Sequence, residues 1–464
     1  MNEFWGRANG FCSSPSFLYK MENKYKEIVI SNTAEAFRDI IEKVKDEKEI
    51  TRRLSIEHSL CQRGFFWNGD NKVIVTPYPI DPTFLKINSD ILGYKNIKNI
   101  YPKKIKVSLC EALFKDKDVS DNLVKIIKTN PNISITTYAI TDEFLSLISN
   151  LRKLNLKFRV SELPKQNSLW TVKYLDSKSG FRETIGKIQA KDNKIKLPQG
   201  FICKDINEAN QVGQWFLSSN KSCVLKSNFG ESGWGLKILR NNQSGPVERK
   251  TDKDSIWSNT LVIVEEYFDA NKRVAGGSPS VEIFVDEKGH KVTYICGQIV
   301  DQFGSFNGVS IGKDILSNKI TKELKRLGGA VGTEYWKMGY RGYFDLDTVV
   351  VNGSNDIYLI ETNARRTGGT HVYDIAKRLL GPKWEQKGFL ISNDQFCYGQ
   401  KIKAVKVVFD KLNNLLYPMG SRKSGVIVTI IDEKRPIIGF AIVGKDKNEC
   451  LKIYDELSKS LKGK

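Results

Sequence analysis

Histidine is scarce in this 464-residue chain: there are three, none paired at ligand spacing. Zinc sites draw on several His or Cys donors at short spacing, so none is expected. The same scarcity leaves no convincing Ser-His-Asp or Cys-His nucleophile. The eight cysteines, at 12, 61, 110, 203, 223, 296, 397 and 450, include no Cys-x-x-Cys and no short spacing. That scatter argues against a disulfide framework and for reduced thiols in a cytoplasmic protein. No apolar run reaches the roughly 18 residues of a membrane span, and no basic-plus-apolar leader opens the chain, so neither membrane insertion nor secretion is expected. Walker A, the Gly-x-Gly-x-x-Gly dinucleotide fingerprint, zinc fingers, RNA-recognition signatures and basic arms are all missing. So are repeats and low-complexity segments.

Acidic residues are also in deficit: 53 Asp and Glu against 73 Lys and Arg, a net charge of +20. The lysines are spread along the chain and mixed with acids, which favours a solvated surface over a nucleic-acid footprint. Anionic small molecules or an acidic protein remain compatible partners. What is present is an ordinary globular composition, 40% hydrophobic and 10% aromatic, over a length that holds two or three domains.

The pattern along the chain divides it in three. Residues 33–47 read as an amphipathic helix capped by Thr33. Strands at Val73–Thr76, Ile105–Leu109, Ile133–Tyr138 and Leu156–Val160 alternate with helices at Ser120–Thr129 and from Thr141 to about Leu151. This order predicts a parallel α/β layer over 1–165. A second region, 166–385, carries a helix at Asn207–Leu217 and another between Asn318 and Trp336. A third, 386–464, reads as a β-β-α unit: strands at 425–431 and 437–443, then a helix from Asn448 to Leu461.

The chemistry concentrates in Asp347 to Arg366. Two apolar runs flank a turn at Asn352-Gly-Ser-Asn355, which predicts a hairpin with Asp347 opening its first strand. Alternation along the second strand puts Glu361 and Asn363 on one face. Three hard oxygen donors, Asp347, Glu361 and Asn363, then meet at one end of the hairpin, as Mg²⁺ on nucleotide phosphates requires. Arg365 can reach a phosphoryl group. For any one of these residues a turn contact is the competing explanation; for the spaced set it is not. Upstream, Lys226-Ser-Asn-Phe-Gly-Glu-Ser-Gly233-Trp-Gly235 follows a β-type run. Its glycines let backbone N–H groups close over phosphate oxygens, and the lysine adds a point charge.

Asp…Glu-x-Asn followed by Arg, with Gly342 five residues before Asp347, resembles the metal signature of the ATP-grasp ligases. The family's offset selects Asp347 over its neighbour Asp345. The resemblance covers roughly 165–380. It implies an ATP-grasp fold preceded by a Rossmann-like α/β pre-ATP-grasp domain and followed by the small β-β-α unit, an α/β and α+β chain overall. The cues Tyr174–Arg182, Ser278–Glu282 and Glu361–His371 look like those of pheganomycin-type peptide ligases.

Carried over residue by residue, the resemblance implies ATP with Mg²⁺ (or Mn²⁺) as cofactors. Lys226 and the loop with Gly233 and Gly235 would contact phosphate, and Lys178 would be a second phosphate lysine, with a surface lysine as its competitor. Glu265 and the backbone of Tyr267 and Phe268 would hold adenine. Glu282 would hold ribose, or else be an exposed strand residue. Arg365 and Lys226 would be the catalytic pair. His371 would contact substrate or cap a helix, and Arg366 with Gly368-Gly369 would line an acceptor carboxylate pocket. The implied activity is ADP-forming carboxylate–amine ligation through an acyl phosphate, acting on small carboxylates and amines, in the manner of antibiotic-pathway enzymes. Loading of an amino acid onto an acidic acyl carrier protein is the alternative within the family, and a non-catalytic nucleotide- or nucleic-acid-binding protein is the alternative outside it. Dimers are common in the superfamily, so a homodimer is compatible. Substrate choice is expected to lie in the N-terminal layer and in Asp301–Gly308.

Overall fold

The structure, a computed structural model, describes residues 24–462 except 231–232, 243–244, 249–253 and 302–303. Three sheets organise it. The first is parallel: β1 (Glu27–Ile30), β2 (Lys72–Val75), β3 (Ile97–Ile100), β4 (Ile133–Thr137) and β5 (Phe158–Arg159), in the order β3-β2-β1-β4-β5. Ile28, Val29, Ile30, Val73, Ile74 and Val75 are all buried, as expected of parallel strands covered by helices on both faces. β3 lies at 97–100, not at Ile105–Leu109, where the chain makes no strand. The alternation there is broken by Ser108, which caps helix Leu109–Lys115 through Glu111 N.

The second sheet is antiparallel: β6 (Gly200–Cys203), β7 (Cys223–Ser227), β8 (Leu236–Leu239), β9 (Val247–Glu248) and β10 (Val262–Glu266), in the order β6-β10-β7-β8-β9. The third has eight strands: β11 (Pro279–Asp286), β12 (Gly289–Val300), β13 (Phe306–Gly312), β14 (Gly342–Val350), β15 (Ile357–Asn363), β16 (Phe389–Cys397), β17 (Gly425–Asp432) and β18 (Ile437–Gly444). Their order is β15-β14-β11-β12-β13-β16-β18-β17. The C-terminal strands and helix Lys447–Lys462 form where predicted, and β16 and β18 join them to β13 in one continuous sheet.

The predicted helix over 33–47 is two short turns, Thr33–Ala36 and Arg38–Ile41. A longer helix, Glu47–Leu60, follows, capped by Asp46. It buries Arg53, Glu57 and Ser59, so the apolar stripe that marks a helix in sequence is interrupted by charge. This helix, Phe37 and Tyr138 wall one side of a cleft of about 500 Å³. Lys226 and Trp234 from the second sheet and strands of the third form its other sides. No helix among the described residues is long and apolar enough to cross a membrane.

Candidate active site

Strand register builds the cleft floor. Asp347 faces Glu361, Asp345 faces Asn363, Ser280 faces Asp347 and Glu282 faces Asp345. Because side chains alternate, these six residues share one face of the eight-stranded sheet. Asp347 does not open its strand; β14 begins five residues earlier at Gly342, and Asp347 sits mid-strand. Gln298 Nε2 donates to Asp347 Oδ1 at 2.5 Å.

The two aspartates are not equivalent. Asp345 Oδ1 accepts both Asn363 N (3.0 Å) and Asn363 Nδ2 (2.9 Å). That leaves the amide oxygen as the Asn363 atom able to face a cation. Asp347 lies opposite Glu361, and burial followed by the Glu361 charge pushes its carboxyl up to about 6. Asp347, Glu361 and Asn363 are therefore a hard-oxygen set of the kind that suits Mg²⁺, incomplete without ligand oxygens. Among the described residues no three His, Cys, Asp or Glu side chains gather tightly enough to hold an ion by themselves.

Two lysines converge on this floor. Lys178 begins helix Lys178–Gln189 and is 7% exposed, so it is not a surface lysine. Its Nζ donates to Glu361 Oε1 at 2.7 Å and to Gly230 O at 2.6 Å. It thus ties the glycine-rich loop to the cleft floor. Lys226, on β7, pairs with Glu265 Oε2 at 2.6 Å, while Arg182 Nη1 holds the other oxygen at 2.9 Å. Within the loop, Gly235 has φ +65°, and a Cβ there would meet Ser227 Cβ at 2.6 Å; both facts favour glycine. Glu231 and Ser232 lie outside the described residues.

Glu265 is engaged by these cations rather than open to a ligand. The Tyr267 N–H donates to Ser222 O, and Arg240 stacks on the Tyr267 ring at 4.7 Å. Phe268 packs on Tyr358 with centroids 4.4 Å apart. Arg365 lines the cleft, its guanidinium 4.9 Å from the Phe37 ring and 5.9 Å from that of Tyr138.

Glu282 is 1% exposed, which rules out an exposed strand residue. Its Oε2 accepts hydroxyls from Thr367 (2.8 Å), Tyr294 (3.0 Å) and Thr370 (3.0 Å), fastening the 367–370 turn to the sheet. Burial pushes the Glu282 carboxyl up to about 7, and the three hydroxyls offset only part of that. A raised carboxyl means the folded chain holds a proton that the unfolded chain releases near 4.5, so stability from this group is complete below 4.5 and lost as pH rises to about 7. The Glu282→Gln variant should therefore gain on the wild type in denaturant midpoint between pH 4.5 and 7. A gap that stays constant over that window would contradict the assignment.

Arg366 does not line the acceptor pocket. It is 1% exposed, paired through both terminal nitrogens with Glu162 and bonded to Thr137 O at 2.6 Å. His371 neither faces the cleft nor caps its helix. It lies one residue inside helix Thr370–Leu380, fully buried, with Gly369 at the N-cap. Gly368 and Gly369 do line the cleft. Several cleft residues had no sequence signal: Arg53, Glu57 and Arg63 from the N-terminal unit, and Gln298 and Asp394 from β12 and β16. Strand alternation from Cys296 could have found Gln298.

No family model matches the chain. It is 24% identical over 190 residues to the [butirosin acyl-carrier protein]–L-glutamate ligase of Niallia circulans, which is 39% of this chain and 42% of that protein's length. Among solved structures, it superposes on a biotin carboxylase from Campylobacter jejuni with a TM-score of 0.53 and 14% identity, covering 93% of this chain and 90% of the other. The ADP complex of an N5-carboxyaminoimidazole ribonucleotide synthetase gives 0.52 at 10% identity, covering 94% and 96%. The corresponding synthase from Aspergillus clavatus, in complex with ADP and 5-aminoimidazole ribonucleotide, gives 0.51 at 9%, covering 95% and 100%. These likenesses span nearly the whole chain and carry its parallel sheet and large antiparallel sheet together: the fold is the ATP-grasp fold.

Proposed function

We propose that this chain is an ATP-dependent, ADP-forming ligase that activates a carboxylate as an acyl phosphate and transfers the acyl group to an amine. The observation that carries this reading is the meeting of Asp347, Glu361, Asn363, Lys226 and Arg365 around one cleft, with Lys178 hydrogen-bonded to Glu361. Asp347, Glu361 and Asn363 would hold magnesium, which when bound neutralises phosphate charge. Lys226 and Arg365 would stabilise negative charge on the transferring phosphoryl group, and Lys178 would keep Glu361 and the glycine-rich loop in register. Positioning and charge neutralisation are what phosphoryl transfer asks of a protein. Tyr267 and Phe268 would border the adenine, Glu265 would hold Lys226 in place, and Glu282 would support the turn beside the cleft. A domain division at 165 fits the change from the parallel to the antiparallel sheets, whereas 385 falls within the eight-stranded sheet, which β16 to β18 continue.

One observation favours a second acceptor. The relative from Niallia circulans is by name a ligase that acts on a carrier protein, and a chain of net charge +20 would be steered to an acidic carrier. In that reading the acceptor is a carrier thiol. The deciding experiment measures ADP release from Mg-ATP across amino acids and small carboxylates, with hydroxylamine trapping acyl phosphate. A hydroxamate dependent on one carboxylate is the expected result. No ADP and no hydroxamate with any carboxylate, free or carrier-bound, would remove the ligase reading; mass spectrometry of acidic carrier proteins after incubation would separate the thiol from the amine acceptor.

A further inference from the structure

β16 lies four strands from β14 across β11, β12 and β13, so Asp394 is roughly 19 Å from the Asp347 row at ordinary strand spacing. The cleft runs the whole way and is lined at this far end by Glu57, Arg63, Asp394 and Gln395. Asp394 is 2% exposed and Glu57 9% exposed. Arg63 Nη1 donates to Asp394 Oδ2 at 3.1 Å. Asp394 Oδ1 and Glu57 Oε2 are buried without a hydrogen bond; His371 Nε2, 3.6 Å from Asp394 Oδ1, is beyond bonding distance.

Two carboxylate oxygens held out of water without donors are costly unless something brings donors to them. The complement is a group with several N–H donors and positive charge. An ammonium is such a group, since it donates in three directions and accepts nothing. We propose that Glu57 and Asp394 seat a cationic amino group of a substrate, one that anchors it without itself reacting, at the end of the cleft remote from the Asp347–Glu361–Asn363 set. The assignment to a substrate of the ligase rests on the ligase reading; the cation site itself does not. Arg63, Arg365, Arg53 and Arg435 act on Glu57 electrostatically, so an anion is the competing occupant.

The test is saturation-transfer NMR on the full chain with three small glycine derivatives: glycinamide, cationic at neutral pH, neutral N-acetylglycinamide and anionic N-acetylglycine. Glycinamide alone should receive saturation, and Glu57→Gln and Asp394→Asn should each weaken its binding about tenfold or more, as loss of a charged hydrogen bond does. Asp394→Asn keeps an acceptor for Arg63, and Glu57→Gln alters an oxygen that has no hydrogen-bond partner, so either folded variant suffices. Equal or stronger saturation of the neutral or anionic probe, or unchanged binding in the variants, overturns the site. Binding of glycinamide in a chain that makes neither ADP nor hydroxamate would sink the ligase reading and leave the site standing.

Discussion

Replacing Glu361 by alanine is expected to abolish ADP formation from Mg-ATP, a loss on the order of 10²–10³-fold or more, as when a preorganised charge-stabilising group is removed. Glu361 sits opposite Asp347 on paired strands and bonds Lys178 at 2.7 Å. Its removal therefore deletes one oxygen donor from the candidate metal set and releases the lysine that also holds Gly230 O. The Glu361→Gln variant separates these effects: the amide keeps an acceptor for Lys178 and loses the charge. Both variants should be inactive if charge at the metal is what matters. With its side chain 22% exposed, Glu361 contributes little to the core, and the denaturant midpoint should stay near that of wild type. An active Glu361→Ala enzyme would remove the metal assignment.

The Asp347–Arg365 segment was legible because its chemistry is local in sequence: a hairpin holds two metal-type strands 14 residues apart, and period-two alternation tells which side chains share a face. The same logic found helices Lys117–Thr129 and Asp142–Lys153 of the N-terminal layer, where Asp116 and Thr141 caps precede apolar periodicity, and missed Pro82–Leu92 and Leu109–Lys115. It failed at Ile105–Leu109, where a short apolar alternation leads into a capped helix instead of a strand. It failed again at helix Glu47–Leu60, whose inward face carries Arg53 and Glu57. A helix that lines a polar cleft gives up the apolar stripe that would announce it. Asp394 and Arg63, 331 residues apart in sequence, are joined only by the tertiary order of the strands. Lys178 shows the converse: its residue type and motif were readable, but its burial against Glu361 depends on a helix start docking on another sheet. Arg366 was expected with Gly368-Gly369 at an acceptor pocket, yet it stands next to Arg365, and successive residues leaving a strand point to opposite sides.

That opposition leads to the largest expected effect on stability. Arg366 is buried between the rings of Trp67 (5.3 Å) and Tyr343 (4.5 Å) and makes a two-pronged pair with Glu162. Trp67 and Thr137 belong to the parallel-sheet unit and Tyr343 to the eight-stranded sheet, so this one guanidinium joins the two units. Removing one member of a buried pair leaves the other charge without compensation, a cost of about 3–5 kcal/mol. Arg366→Ala and Glu162→Ala should each lower the unfolding free energy, read from denaturant titration, by an amount in that range. The double variant should lose much less than the two losses summed, because no lone charge then remains. Arg366→Lys should recover only part of the loss, since a single ammonium cannot span both Glu162 oxygens or stack as a plane between two rings. Near-wild-type midpoints for Arg366→Ala, or strict additivity in the cycle, would show that the pair is not what binds the units. If it is, the cleft between them is set by a contact one residue away from Arg365, and loosening it should raise KM for ATP and acceptor together while both groups of binding residues remain intact.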